Sequence, residues 1–508
     1  MRLTTTRVAL LATLLIAYNL LWDPLAHSVP AQATSVPAQA TPRVAPAVQP
    51  LNATATPPVQ HLEFDLDALL HNPLSAPTEA EQRTQTLQCP NYAGPMFFPY
   101  HPGAKNVPRK PVPAAMTTAS DAPPAFRAPP RPLQPFHLKD VRLTARTAFH
   151  AAQQTNLAWL KQLEPDRMLY FFRQLAKLPQ PAPTLQPYGG WESAGSGLRG
   201  EFIGHWLSAV AAAAAGGAEP ELRSRAEYVV TALGQCQDEV SGYLSAFPQS
   251  EFAATESFYP KGPWVPYYVM HKLLVGLLEA HSLLGLRLAL TVALKLSEHL
   301  RGRVEKMLAS GGEQRWEEFI NQEVGGMSEA LTQLAVATKD PSWVQLAKRF
   351  ERPCFVGPLA LVGASTKRGA AQAIEKMHAN THLPEILGAA ARYEATGEPA
   401  AARAAMSFFD ELNASHTFAT GGSTSGETWL GARQLGGPVA QQHAENYWSH
   451  DHHETCVSHN SMRTSRSIMA WGAGADAGGA APRTMWIVWP SCTAYESSVS
   501  GSLSTLPL

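Results

Sequence analysis

The sequence is poor in the features that assign many chains to a class at once. Its 508 residues carry 40 Lys and Arg against 41 Asp and Glu, so no excess charge is present to attract nucleic acid or an anionic membrane. The five cysteines are odd in number and widely spaced, which argues against a disulfide framework and leaves at least one thiol free. There is no Walker loop, and no Gly-x-Gly-x-x-Gly between a predicted strand and a helix, which argues against a nucleotide cofactor. A neutral partner is expected, and no nucleic acid.

The N-terminal part of the chain has the composition of a targeting segment and a linker. Arg2 and Arg7 precede a mostly apolar run from Val8 to Trp22, which is typical of a signal peptide over residues 1–26. An uncleaved signal-anchor is the alternative, and only then would the chain have a membrane partner. Residues 27–60 are Pro- and Ala-rich low-complexity sequence, which predicts a linker. We therefore expect a secreted protein or one in the endomembrane lumen, Golgi or extracellular.

Three further segments follow from changes in composition. Residues 61–131 contain many prolines, so an irregular segment is expected there. Prolines become rarer after that point, and residues 132–470 are predicted to form one catalytic domain. Residues 471–508 are Gly- and Ala-rich at first and are expected to be an atypical, disordered tail.

Helical periodicity dominates the predicted domain. Apolar residues recur at intervals of three and four, as in Leu157, Leu160 and Leu163, which indicates helices with one buried face. Helices are predicted at 143–163, 200–215, 220–237, 266–284, 287–308, 322–337, 342–351, 383–395, 398–413 and 454–469. Short turns with Gly, Asp, Glu or Pro join several of them in pairs, and repeated hairpins stack into a superhelix or close into a ring. The sequence favours a mainly α fold, an α/α toroid of the (α/α)6 type, because only a closed array would bring its polar motifs together.

Polar and aromatic residues stand at or just before the starts of successive predicted helices. They are Trp191 in Gly190-Trp191-Glu192, His205 in Gly204-His205-Trp206, His271 in Met270-His271-Lys272 and His378 in His378-Ala379-Asn380-Thr381. At one mouth of a toroid these side chains would offer a hydroxyl-rich ligand many donors and acceptors. A single histidine at a helix end is more often a cap or a core residue. The recurrence, rather than any one member, predicts carbohydrate binding.

The residues with the clearest chemical character lie towards the C-terminal end. Glu427 follows the Gly-rich stretch Gly421-Gly422, and a carboxylate on such a loop could act as a general acid, although a solvated loop glutamate is the alternative. Glu454 and Cys456 are separated by one residue, and zinc accepts carboxylate and thiolate ligands together. They predict half of a zinc site, which needs further ligands from elsewhere.

Taken in order, these motifs resemble the glycoside hydrolase family of β-L-arabinofuranosidases, over about residues 132–466. The resemblance rests on Phe136 to Leu143, Asp166-Arg167, Gly190-Trp191-Glu192, Gly204 to Ser208, His271-Lys272, Gly325-Gly326-Met327, His378 to Thr381, Gly421-Gly422 with Glu427, and Glu454-Thr455-Cys456. No single motif is diagnostic, but the ordered set is specific.

The resemblance implies a retaining exo-glycosidase that acts on carbohydrates or glycoprotein glycans, with an α/α-barrel catalytic domain followed by β-sandwich domains. By position, Glu427 matches the family's acid/base, and Glu454 and Cys456 match two ligands of its Zn²⁺. His205, His271 and His378 match substrate-contacting histidines. Zinc would hold a cysteine as the thiolate nucleophile.

One departure from the family opens an alternative. The family has a Cys-Cys pair downstream, which supplies the nucleophile and a zinc ligand, and this sequence contains no Cys-Cys. The chain therefore resembles a truncated or misassembled product without the β-sandwich domains, in which Cys492 is either a displaced relic of the pair or an ordinary tail residue. The alternatives to an active glycosidase are a catalytically inactive sugar-binding toroid and another zinc-dependent toroid enzyme such as a cyclase, which would not need Glu427.

Overall fold

The described part of the chain is the region that was predicted to be helical. The computed structural model describes residues 125–127, 129, 136–217, 219–257, 265–320, 325–361, 367–418, 421–425, 427–435 and 455–471. The predicted signal peptide and linker lie outside these residues, as does the predicted tail except for Trp471. Glu454 and Cys492 also lie outside them.

Helices account for nearly all of the regular structure in the described part. The α-helices, in chain order, are α1 Ala148–Gln162, α2 Pro165–Met168, α3 Tyr170–Leu175, α4 Phe202–Gly217, α5 Pro220–Cys236, α6 Gln249–Glu256, α7 Pro266–Leu284, α8 Arg287–Ile320, α9 Met327–Thr338, α10 Ser342–Arg349, α11 Pro353–Leu361, α12 Lys367–Ile374, α13 Ala379–Thr396, α14 Pro399–Ser415 and α15 Thr455–Ala470. Two 3-10 helices span Leu138–Asp140 and Gly190–Glu192. Among the described residues there is no β-strand, only two isolated bridges, which join His378 to Thr428 and Ser425 to Thr428.

The helices form an inner and an outer layer. In the inner layer α4 packs on α7, α7 on α9, α9 on α13 and α13 on α15. Each of the first four is followed by an outer partner that packs against it, namely α5, α8, α10 and α14. Such inner and outer pairs are the helical hairpins that the turn residues predicted.

Side chains on α15 close the inner layer. Arg463 on α15 makes a bidentate ion pair with Glu329 on α9. His459, one turn earlier on α15, lies within electrostatic reach of His205 on α4 and Lys272 on α7. The inner helices therefore surround a common axis, and the predicted α/α toroid is confirmed.

All ten predicted helices are present, and the differences lie at their ends. The helix predicted to begin at 383 begins at Ala379, because the backbone N–H of Ala379 finds an acceptor in the carbonyl of Glu427, 2.8 Å away. The helix predicted to end at 308 continues to Ile320 across a non-helical residue, Gly312. The sequence did not reveal α2, α3, α6, α11 and α12, since each is shorter than the ten or so residues over which periodicity is legible.

A glycine contact fixes the spacing between α4 and α7. A Cβ added at Gly204 would lie 2.3 Å from the carbonyl oxygen of Lys272, and one added at Gly276 would lie 2.6 Å from the carbonyl oxygen of Gly204. Only glycine permits two helix backbones to approach this closely. The contact places the side chain after Gly204, which is His205, beside His271 and Lys272.

We predict that Gly204→Ala destabilises the protein by at least about 1–3 kcal/mol, because the added methyl group meets backbone atoms that have no room to move. Gly302→Ala on α8 is the matched control, since an added Cβ there has no heavy atom within 4 Å. The control should keep or raise stability, by up to about 1 kcal/mol. Urea unfolding of both variants is the measurement, and equal midpoints would contradict the close packing of α4 on α7.

Candidate active site

Glu427 sits in a tight turn that is fastened to the start of α13. Ser425 and Thr428 exchange two backbone hydrogen bonds of 3.0 and 3.2 Å, and Ala379 donates to the carbonyl oxygen of Glu427. Glu427 has a φ of 57°, a left-handed conformation that costs a non-glycine residue about 1–2 kcal/mol. Strain of this kind persists where surrounding contacts over-determine the backbone, and it is common at functional sites. The turn aims the Glu427 side chain at α13.

The carboxylate of Glu427 contacts the histidine that caps α13. Oε2 of Glu427 lies 2.8 Å from Nε2 of His378, and the two side chains are 21% and 14% exposed. An imidazole beside a carboxylate donates its N–H to the ionised acid and accepts the proton of the neutral acid. The pair can therefore support Glu427 in both protonation states, as a group that first gives and then takes a proton requires.

The backbone of His378 is anchored in the core by residues of the first turn of α13. Nδ1 of His382 lies 2.6 Å from the carbonyl oxygen of His378, and the hydroxyl of Thr381 donates to the same oxygen over 3.1 Å. His382 is buried, and burial first, then nearby Arg352, holds its pKa well below the usual range. His382 is therefore neutral and donates from Nδ1. These contacts fix the position from which the His378 ring meets Glu427.

The other two predicted histidines lie on the neighbouring helices α4 and α7. Nε2 of His205 is 3.3 Å from Oε1 of Glu201, one turn earlier on the chain. His271 is buried, and burial first, followed by Lys272 and His205, lowers its pKa well below the usual range. A Cβ at Gly326 would lie 2.9 Å from the His271 ring, so the Gly325-Gly326 pair leaves room for that imidazole. Both rings face the axis of the toroid.

Trp191 is on the rim rather than in the wall. Its side chain is 54% exposed, its ring centroid lies 6.1 Å from that of Phe202, and Phe202 lies 6.4 Å from the His205 ring. An exposed indole next to a histidine-lined opening is suited to stacking on the apolar face of a sugar. The next residue, Glu192, is buried and accepts hydrogen bonds of 2.8 Å from the backbone N–H groups of Gly200 and Phe202.

The burial of Glu192 leads to a prediction about pH. Burial outweighs the backbone donors and raises the pKa of Glu192 to about 7. Because the folded-state pKa lies above the unfolded value, the stabilising contribution is full below about pH 4.5 and is lost as pH rises to about 7. Relative to Glu192→Gln, the wild-type free energy of unfolding should fall by up to about 3 kcal/mol over that interval. Glu227→Gln on the surface of α5 is the control, and parallel pH profiles for wild type and Glu192→Gln would contradict the prediction.

An ionic cluster lies on the inner faces of α7, α9 and α15. Glu329 accepts from both terminal nitrogens of Arg463 and from Gln333, 3.0 Å away. Glu279 is nearby on α7, where burial raises its carboxyl pKa and Arg463 opposes that rise. Glu329 lies in the first turn of α9, whereas Glu279 and Arg463 lie further along α7 and α15 than His271 and Cys456 do. The cluster therefore connects three inner helices.

Sequence reasoning missed two residues of the mouth, His459 and Lys272. The His459 ring touches solvent on one side, and protein atoms surround it in the other directions. Desolvation by these atoms is the largest cause that lowers its pKa to about 4, and the charges of Arg463, His205 and Lys272 add to it. His459 lies in the middle of a predicted helix, where a lone histidine gives no functional signal. Lys272 was noted only as part of a motif.

The cysteines are in different states. Cys456 lies in the first turn of α15, half-buried and outside any disulfide, and Cys236 is a free buried thiol whose pKa burial raises to about 11. Cys354 is disulfide-bonded, which sequence spacing did not reveal. Of the two predicted zinc ligands, Glu454 is outside the described residues. Within the described part no group of three or more His, Cys, Asp or Glu side chains could hold a metal ion, so these residues do not by themselves complete a zinc site.

A separate cavity of about 570 Å³ lies between α6 and α8 and contains none of the predicted site residues. In its lining Arg303 donates to Glu256 over 3.0 Å, and Nδ1 of His299 lies 2.9 Å from the carbonyl oxygen of Ser241. It has the character of a structural network at the surface. No described helix is long and apolar enough to cross a bilayer.

The structure thus brings Glu427 into contact with His378 and places His205 and His271 side by side on the neighbouring inner helices. The Phe202 ring lies between the rings of Trp191 and His205. Cys456 lies in the first turn of the inner helix α15. The common feature is position, since His205, His271, His378 and Cys456 all lie in the first two turns of inner helices or at their N-caps.

Comparison with known proteins gives one family. Residues 140–478 match the sequence profile described as the β-L-arabinofuranosidase, GH127 catalytic domain. Among solved structures, a GH127 β-arabinofuranosidase is 16% identical with a TM-score of 0.47, over 71% of this chain and 54% of that chain. A GH127 β-L-arabinofuranosidase from Geobacillus stearothermophilus T6 is 16% identical with a TM-score of 0.42, over 68% and 53%. The chain spans about half the length of these two proteins. No curated protein matches.

Proposed function

The chain belongs to the GH127 catalytic-domain family of β-L-arabinofuranosidases, and from this premise we propose that it is a glycoside hydrolase that removes L-arabinofuranose from carbohydrates or glycoprotein glycans. The observation that carries the proposal is the contact between Glu427 and His378. It joins a carboxyl group to an imidazole at the N-terminal end of α13, and His205 and His271 lie near the N-terminal ends of the inner helices α4 and α7. Trp191 lies on the rim beside Phe202 and His205. Such a mouth suits the end of a glycan chain, which fits exo-hydrolysis.

Glu427 acts as the acid/base in this proposal. In the first step it gives its proton to the glycosidic oxygen as the bond from that oxygen to the anomeric carbon breaks. His378 then donates to the new carboxylate through Nε2, which lies 2.8 Å from Oε2. In the second step Glu427 takes a proton from the attacking water, so the proton balance of the site is restored.

Retention of configuration requires a nucleophile on the opposite side of the sugar, and we assign this role to a cysteine thiolate. The thiolate would form a bond to the anomeric carbon as the aglycone leaves, and water would break that bond in the second step. Cys456 is the described candidate, because it lies in the first turn of α15 outside any disulfide. Cys492 is the second candidate. Proton NMR of the anomeric signal of the first-formed product tests retention.

Zinc and location belong to the same proposal. Zinc held by Glu454 and Cys456 rests on the family resemblance, since the described residues do not complete a site. Metal analysis of the purified protein tests it. Passage through an oxidising compartment is supported by the disulfide at Cys354, because such bonds are rare in the cytosol.

The direct test is hydrolysis of an aryl β-L-arabinofuranoside by the purified full chain with zinc supplied. Release of the aryl alcohol would support the glycosidase. A folded protein that shifts its unfolding midpoint with L-arabinose but releases no product would support the inactive sugar-binding toroid. A protein that neither cleaves the substrate nor binds the sugar would overturn both.

A further inference from the structure

Lys272 is a nearly buried cation that has no anionic partner among the residues that the structure describes. Its side chain is 8% exposed, and it makes no hydrogen bond or ion pair with any residue that the structure describes. The ammonium nitrogen lies 4.6 Å from the centroid of the Tyr268 ring. Lysine is almost never buried without a counter-charge, because desolvation of the ammonium group is unfavourable. An ammonium that has no counter-charge among the described residues therefore requires an explanation.

The direction of the side chain places the ammonium in the mouth of the toroid. Tyr268, Lys272 and Glu279 lie on one face of α7, at intervals of four and seven residues. Glu279 lies beside Arg463 of α15, so this face is the one turned towards the axis. Lys272 is also close enough to His271 and His459 to lower the pKa of both imidazoles. The ammonium thus lies between α7 and α15, among the neutral histidines of the mouth.

We infer that Lys272 is a substrate-binding residue whose ammonium donates hydrogen bonds to hydroxyl oxygens of a sugar in the mouth of the toroid. The identity of the sugar as L-arabinofuranose rests on the proposed function, whereas the inference does not require that the protein cleaves a glycoside of this sugar.

The chemistry of the mouth favours this ligand. An ammonium has three donors and no acceptor, and the described groups nearest to it are an aromatic face and neutral imidazoles rather than carboxylates. The other cation on the axis, Arg463, is already paired with Glu329. Each sugar hydroxyl offers acceptor lone pairs, so a bound sugar would satisfy donors that the protein leaves unused. Hydrogen bonds to a charged group are stronger than those between neutral groups.

The test compares Lys272→Met with wild type in the full chain, with L-arabinose as the probe. We expect the variant to bind L-arabinose about 10- to 100-fold more weakly by calorimetry. We also expect its thermal midpoint to be equal to or higher than that of wild type, because the substitution removes an unpaired buried charge. Lys306→Met, on the exposed surface of α8, is the matched control and should leave L-arabinose affinity and stability unchanged.

The outcomes separate this inference from the proposed function. A wild-type protein that binds L-arabinose but cleaves no aryl glycoside, with binding lost in Lys272→Met, supports the inference while the proposed function fails. Unchanged L-arabinose affinity in Lys272→Met overturns the inference alone, as does a variant that loses stability but keeps its affinity, because Lys272 would then be structural. A folded wild-type protein that does not bind L-arabinose overturns the inference as well.

Discussion

Replacing Glu427 with Gln is expected to lower kcat on an aryl β-L-arabinofuranoside by about 10²- to 10⁴-fold, the contribution typical of general acid/base catalysis. The amide fills nearly the same volume and still lies within reach of His378, so the turn from Ser425 to Thr428 should remain intact. It has no proton to give to the leaving oxygen and takes none from water. KM and the thermal midpoint should change little, and steady-state kinetics with a thermal melt measure both.

The loss should depend on the leaving group. A 4-nitrophenyl glycoside needs little protonation as it leaves, so Glu427→Gln should impair its cleavage less than that of an alkyl glycoside. Glu375→Gln is the matched control, since this half-buried carboxylate lies in the segment before His378 and pairs with the neighbouring Lys376. Equal activity of Glu427→Gln and wild type on both substrates would remove Glu427 from the mechanism.

The helices could be predicted from the sequence because helical packing produces a periodic pattern of apolar residues within each segment. Each inner helix must bury one face against its neighbour, and a face appears in the sequence as apolar residues three and four positions apart. The order of the polar motifs along the chain carried the family resemblance, which assigned His205, His271 and His378 to the substrate site. The structure places these three histidines at corresponding ends of inner helices. Closure of the ring was inferable, because residues so far apart in sequence would meet one ligand only in a closed array.

The pairing of Glu427 with His378 was not predictable from spacing. The two residues are 49 positions apart. Their contact depends on a backbone hydrogen bond between Ala379 and Glu427, which no sequence pattern predicts. Lys272 illustrates the same limit. Its position beside His271 in a helix is visible in the sequence, but whether a lysine is exposed, paired or alone in a cavity wall is decided by residues on other helices. Burial of Glu192 under the start of α4 was hidden for the same reason.

The second large effect is expected in the core behind the site, at Glu385 and Arg352. Glu385 on α13 is fully buried, and its carboxylate accepts from Nε of Arg352 over 3.2 Å and from the backbone N–H of Arg352 over 2.8 Å. The guanidinium side chain is 3% exposed. We expect Glu385→Leu to lower the free energy of unfolding by about 3–5 kcal/mol, because it leaves Arg352 buried without its counter-charge. Urea unfolding monitored by circular dichroism is the measurement.

A double substitution distinguishes loss of the charge partner from poor packing. Arg352→Met combined with Glu385→Leu removes both charges and keeps most of the volume, and buried ion pairs replaced in this way often leave stability unchanged or higher. The double variant should therefore recover most of the stability that Glu385→Leu loses. If it is as unstable as Glu385→Leu, the apolar replacements pack badly and the buried charge is not the cause. If Glu385→Leu itself loses less than about 1 kcal/mol, Arg352 reaches another acceptor, and the pair does not hold α13 beneath the catalytic turn.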